Sequence, residues 1–286
     1  MRTIRTRPAL WSSLLFVPSD QPRKLAKGRE SRAAALILDW EDSVSDPAKP
    51  DARRRALDFL RSKAEFPASI FIRMNASGSR HFSEDCAALR ELRPDAIVLP
   101  KCRSAHDVQD LASFLSEADL EKACHIVPLI ESAAAVVNCS AILAASDRVI
   151  AAGFGAEDFS ADMQITRSPG EPELLYARCV IATACRAAGV EALDSPYLEY
   201  RDTQGLRTAA ASAAHLGFTG KLAIHPAQVP VLNEVFSPSQ RELEAARQLV
   251  DAFESANAAV AGINGRMIDE AVIKRARRLL DLFAKD

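Results

Sequence analysis

The chain has no excess of either charge: 36 Lys and Arg stand against 38 Asp and Glu, a formal net charge of −2. It therefore lacks the electrostatic footprint that binding to nucleic acid or to an anionic membrane demands. It lacks paired cysteines as well. Cys86, Cys102, Cys124, Cys139, Cys179 and Cys185 include no Cys-x-x-Cys, and no histidine lies at zinc spacing from them. That pattern points to reduced thiols in a cytoplasmic protein rather than to a zinc site or a disulfide framework. No apolar run is long enough to span a bilayer. After the basic start Met1–Arg7 comes only Leu14-Leu-Phe-Val17, cut off by Pro18, which is too short for a secretory signal. A glycine-rich phosphate turn is also missing; Pro18-Ser-Asp-Gln-Pro22 follows the first β-like run instead, which argues against a doubly wound nucleotide-binding sheet.

What is present is an ordinary globular composition, 48% apolar and 26% charged over 286 residues, enough for one large α/β domain or two small ones. Basic clusters such as Arg53-Arg54-Arg55 alternate with acidic residues and read as solvated helix faces. Short β-rich apolar runs recur at Ser13–Val17, Ala34–Leu38, Ile70–Ile72, Ala96–Leu99, Ile126–Ile130, Arg148–Ala152, Val190–Leu193 and Lys221–Ile224. Helical patterns separate them, at Gln21–Arg32, Pro50–Lys63, Ser83–Glu91, Ala105–Leu115, Ala133–Ala144, Glu173–Ala188 and Thr203–Leu216. Eight strand–helix repeats predict a (β/α)₈ TIM barrel over residues 1–235. Residues 236–286 then form a C-terminal helical extension or lid, with helices near Ser239–Ala258 and Glu270–Ala284 around a polar flap at Gly262–Asp269.

A barrel carries its chemistry at the carboxyl ends of its strands. Here those ends read Pro18-Ser-Asp20, Asp39-Trp-Glu-Asp42, Arg73-Met-Asn75, Pro100-Lys101, Glu131-Ser132, Glu157-Asp158, Asp194-Ser195 and His225-Pro226. So many charges on one rim cost free energy unless they pair or hold a metal. Glu131 and Asp158 follow the fifth and sixth runs, so adjacent strands would bring two hard oxygen donors together. Such a pair suits Mg²⁺ with positions left for substrate. Trp40 is expected as a pocket wall, and His225 as a residue that lines or orients the pocket.

The ordered segments Ser13-Leu-Leu-Phe-Val-Pro18, Leu36-Ile-Leu-Asp-Trp-Glu-Asp-Ser-Val44, Ile72-Arg-Met-Asn75, Ile97-Val-Leu-Pro-Lys101, Pro128-Leu-Ile-Glu131, Gly155-Ala-Glu-Asp-Phe-Ser-Ala-Asp162, Ala223-Ile-His-Pro-Ala-Gln228 and Asn264-Gly-Arg-Met-Ile-Asp269 resemble the citrate lyase β-subunit-like branch of the HpcH/HpaI aldolase superfamily. The resemblance implies a (β/α)₈ barrel that assembles as a homotrimer or hexamer. It implies a lyase that uses Mg²⁺ to cleave carbon–carbon bonds in CoA or acyl-carrier thioesters. By resemblance, Glu131 and Asp158 hold the metal, and Arg73 holds the thioester carbonyl or substrate carboxylate. Asp269 looks like an acid/base residue delivered into a neighbouring subunit's site. Phe16 and Lys24 match the region that contacts CoA. Glu41 and Asp42 are expected to order metal waters or Arg73. The chain departs from the family pattern at Trp40, at Ser19, and at Cys102-Arg103, where an acidic residue often follows the lysine.

The expected reaction is retro-Claisen cleavage of a citramalyl-CoA or malyl-CoA type thioester to acetyl-CoA and a 2-keto acid. The alternatives are a citrate lyase β subunit acting on a carrier-bound citryl thioester, with an acyl-carrier subunit as partner, and a thioesterase.

Overall fold

The computed structural model describes residues 11–62, 68–118, 124–256, 260–263 and 266–283. The chain divides into two compact units, one ending at Phe236 and the other running from Ser237. In the first, β1 (Ser13–Pro18), β2 (Ala35–Asp39), β3 (Ser69–Arg73), β4 (Ala96–Leu99), β5 (His125–Ile130), β6 (Ala151–Phe154), β7 (Glu191–Asp194) and β8 (Gly220–Ala223) form a closed barrel in chain order. Every pairing is parallel, and Leu14↔Leu222 lies in the seam where β8 meets β1.

Around it run α1 (Pro22–Glu30), α2 (Lys49–Arg61), α3 (Phe82–Leu89), α4 (Ala105–Glu117), α5 (Ala133–Val137), α6 (Cys139–Ala144), α7 (Ala156–Asp162), α8 (Leu175–Ala188), α9 (Thr203–Leu216) and α10 (Val229–Val235). Strands covered on both faces need apolar residues at every position, and alternation then sorts them into two cores. Leu14, Ile37, Phe71, Val98, Val127 and Leu222 belong to the smaller core. Leu15, Leu36, Leu38, Ile70, Ile72 and Leu99 belong to the larger one, shared with helix residues such as Leu111 and Ile181. Trp11, just before β1, meets Phe71 edge-on with centroids 5.1 Å apart.

The sequence expectation differs from the structure in four places. The sixth strand lies at Ala151–Phe154 rather than Arg148–Ala152; ahead of it, Val149 makes only an isolated bridge with Ile126. The ladder to β5 resumes at Leu129↔Gly153, past Pro128, which has no N–H to offer. The fifth helical pattern breaks at Asn138, whose side-chain amide donates to the Arg103 carbonyl at 3.1 Å. Trp40 is fully buried in the larger core and does not line the cavity.

The fourth difference lies in the C-terminal unit. There α11 (Gln240–Ala256) and α12 (Glu270–Phe283) pack together around Phe253, Ile268 and Ile273. Where the sequence suggests a flap between helices, β9 (Val260–Ile263) and β10 (Arg266–Asp269) pair antiparallel, with Val260 opposite Asp269. The dipeptide Asn264-Gly265 between them is a strong hairpin signal in the sequence.

Candidate active site

The carboxyl ends of the barrel strands surround a cavity of about 500 Å³. Of the residues expected there, Phe16 on β1, Lys24 on α1, Asp42 after β2, Arg73 ending β3, Glu131 following β5 and Asp158 in the first turn of α7 all line it. Leu15, Leu129, Phe154 and Leu222 make much of its wall apolar. Glu41 stands behind this lining, nearly buried, and reaches the site through Arg73 and Lys101. Asp269 ends β10 in the C-terminal unit; its side chain lies outside the described residues.

Arg73 is fixed before any ligand arrives. Its Nε and Nη2 donate to the two oxygens of Asp39 at 2.7 and 2.6 Å, a bidentate fork. Its Cζ sits 4.7 Å from the centroid of the Phe16 ring. Its Nη1 lies 3.1 Å from Glu41 Oε2, off hydrogen-bond alignment, so that buried oxygen is left without a hydrogen-bond partner. Burial alone would raise the pKa of Asp39, but the adjacent guanidinium outweighs it and holds the carboxyl below its usual value.

Lys101 joins the two halves of the site. Its backbone is left-handed, with φ +52°, unusual for a residue with a side chain. In that conformation its amide donates to Glu131 Oε1. Its Nζ reaches back across the rim to Glu41 Oε1 at 2.5 Å and Asp42 Oδ1 at 3.2 Å. Burial raises the Glu41 pKa more than Arg73 and Lys101 lower it.

Glu131 is nearly buried, and burial first, then the charges of Asp158 and Glu41, push its carboxyl up to about 7. Two mutually repelling carboxylates, one of them strongly desolvated, form a site short of positive charge. The backbone is shaped to this carboxylate, because a Cβ added at Gly155 would overlap Glu131 Cβ and Oε2. Among the described residues no group of three or more His, Cys, Asp or Glu side chains gathers as a metal cage. A pair of carboxylates fits a hard divalent cation such as Mg²⁺, which retains waters and takes further oxygens from its substrate.

Two parts of the site escaped the sequence reading. The first is the pairing of Asp39 with Arg73 and of Lys101 with Glu41. The register Asp39↔Arg73 was readable once β2 and β3 were known to be neighbours. The second is a chain of ion pairs on the far side of the cavity. Lys221, on β8, contacts the fully buried Asp194 on β7, which accepts from Arg178 Nε at 2.9 Å. Arg178 Nη2 donates to Glu171 at 2.7 Å, and Arg167, in the cavity wall, holds both Glu171 and Glu157. That chain ends one residue from Asp158. His225 lines the cavity as expected, stacking on Tyr200 with centroids 4.7 Å apart and accepting from the Ala227 amide at 3.1 Å.

Comparison with known proteins points to one family. The family model for HpcH/HpaI aldolase/citrate lyase matches residues 12–226. Citrate lyase subunit beta of Leuconostoc mesenteroides subsp. cremoris is 33% identical over 278 residues, covering 94% of this chain and 92% of that protein. Human mitochondrial citramalyl-CoA lyase is 32% identical over 287 residues, covering 94% and 84% respectively. The crystal structure of CitE from Mycobacterium tuberculosis, in complex with magnesium, acetoacetate and coenzyme A, superposes with a TM-score of 0.79 at 30% identity, covering 96% of this chain and 98% of that one. On the family-model match and these relatives, the chain belongs to the HpcH/HpaI aldolase/citrate lyase family.

Proposed function

We propose that the chain is a Mg²⁺-dependent carbon–carbon lyase that cleaves a small 3-hydroxyacyl-CoA thioester, of the citramalyl, malyl or citryl type, to acetyl-CoA and a 2-keto acid. The observation that carries this reading is the Glu131–Asp158 carboxylate pair lining the same cavity as a preset Arg73. Names of relatives support the class: citrate lyase subunit beta and citramalyl-CoA lyase.

The cleavage makes three chemical demands. The C3 hydroxyl must lose its proton, a task we assign to Asp269 on the resemblance of its tail motif. The thioester oxygen gains negative charge as the C2–C3 bond breaks, and Arg73 meets it with a charge that does not change with protonation. Glu131 and Asp158 would hold Mg²⁺, which as a Lewis acid would polarise the C3 hydroxyl and the carboxylate beside it. Asp39 and Glu41 keep Arg73 aimed, so little reorganisation is left for the moment of reaction. Phe16 and Lys24 would contact the coenzyme, the ring by stacking and the ammonium by charge. The apolar wall around Leu15 and Phe154 keeps water from the enolate.

A mass-spectrometric assay of citramalyl-, malyl-, methylmalyl- and citryl-CoA with Mg²⁺ tests the reading. Cleavage to acetyl-CoA, lost with EDTA and restored by Mg²⁺, is expected. Activity indifferent to EDTA would refute the metal assignment, and release of the intact 3-hydroxy acid would make the protein a thioesterase. A second reading, a citrate lyase β subunit acting on a carrier-bound citryl thioester, is favoured by the similarity to subunits of that name. Turnover only with an acyl-carrier partner, and none with CoA thioesters, would select it.

A further inference from the structure

Glu131 and Asp158 border two spaces. On one side is the cavity with the apolar wall. On the other is a second space of about 510 Å³, lined by Ser77, Lys101, Arg103, Asp107, Ser132 and Asp162 together with Glu131 and Asp158 themselves. No apolar side chain lines it.

Most of its charged groups are already engaged. The Lys101 ammonium is bound to Glu41 and Asp42. The Asp107 carboxylate accepts from the amides of Arg103 and Ser104 and from the Ser104 hydroxyl, capping α4. Asp162 accepts from the Ala133 amide at 2.8 Å. Arg103 is different. Its side chain is 69% exposed, and among the described residues its ion-pair contact is a loose 3.9 Å to Asp162 Oδ1. The backbone carrying it is held from both sides, its amide donating to Asp107 and its carbonyl accepting from Asn138.

We propose that Arg103 binds a second carboxylate of the acyl group, one carried beyond the carbinol carbon, and so selects a citryl-type acyl over a citramalyl- or malyl-type one. This rests on the lyase reading above. The thioester arm occupies the apolar cavity, the hydroxyl and its neighbouring carboxylate stand at Glu131 and Asp158, and the remaining substituent on C3 projects into the polar space. A methyl there would strip water from Lys101, Arg103 and Asp162 and give nothing back. A carboxymethyl group would bring one negative charge to the Arg103 guanidinium, whose planar fork matches a carboxylate and is held only loosely by Asp162. Ser77 and Ser132 line the same space.

The test uses the full chain with Mg²⁺ and two product acids, oxaloacetate and pyruvate, which differ by that carboxylate. Calorimetric titration should give oxaloacetate at least tenfold the affinity of pyruvate. Arg103→Ala should erase that preference and leave pyruvate binding within threefold, which also shows that the variant is folded; Arg103→Lys should keep part of the preference. Turnover should follow the same ratio, with citryl-CoA against citramalyl-CoA in kcat/KM. An unchanged preference in Arg103→Ala, or a wild type that prefers pyruvate, would overturn the assignment and leave Arg103 a surface partner of Asp162. Failure of the wild type to bind either acid with Mg²⁺ would instead bring down the lyase reading on which it stands.

Discussion

At the scale of single residues, the site depends on groups whose freedom has been removed in advance. Arg73 is the clearest case. Lysine in its place keeps the charge but loses the fork onto Asp39 and the contact with the Phe16 ring. Arg73→Lys is expected to lower kcat/KM by about 10²–10³, the cost typical of losing a preorganised donor to a developing oxyanion. Mg²⁺ affinity should stay within a few-fold, and an equal fall in both would show that Arg73 works through the metal. Gly155 gives the complementary test. Its Cα lies so close to Glu131 that a methyl must displace the carboxylate. Gly155→Ala should therefore weaken Mg²⁺ binding at least tenfold by calorimetry while leaving the barrel folded by circular dichroism. Wild-type affinity in that variant would mean that Glu131 is not a ligand.

At the scale of elements, buried carboxylates tie neighbouring strands and helices to one another and leave a signature in acid. Asp39 and Asp194 both titrate below their ordinary value of 3.8 in the folded chain, because nearby cations outweigh their burial. The unfolded chain returns them to that value. The stability they contribute is thus complete above it and is lost as pH falls through the folded-state values. Denaturant melts should show stability falling steeply below about pH 4. Asp194→Asn should remove part of that slope and, at neutral pH, cost about 3–5 kcal/mol, because Lys221 would be left buried without its counter-charge. A cost under about 1 kcal/mol would mean that the ammonium finds another partner.

These elements also show what the sequence carries and what it does not. The barrel was legible because strands covered on both faces read as continuous apolar runs, and eight of them alternate with helical periods. The position of β6 was not, because the run from Val149 to Phe154 has no polar side chain to mark a start, and pairing resumes past Pro128, which has no N–H. The rim carboxylates were visible as types in sequence. Their partners were not, since Lys101 reaches Glu41 across 60 residues through a left-handed backbone that no neighbouring glycine announces.

At the scale of the whole molecule, the residues given roles above belong to two compact units. The residues assigned to metal and thioester lie in the barrel, and the residue assigned to the proton, Asp269, lies in the C-terminal unit. Asp269→Asn should abolish cleavage while Mg²⁺ binding persists. If the aspartate serves a neighbouring subunit, co-expression of Asp269→Asn with Glu131→Gln should restore activity that neither variant has alone. Silence from the mixture, with each variant assembled and folded, would place the aspartate in its own chain's site.

The closed barrel has one more consequence. With β8 laced to β1, the barrel sheet has no open edge that could recruit another strand by backbone hydrogen bonds. Among the described residues, the sheet that keeps open edges is the β9–β10 hairpin. Strand addition from another polypeptide would use those edges, beside the backbone of Asp269. The hairpin would then act as a latch, and whatever grips it would govern where the proposed proton acceptor stands.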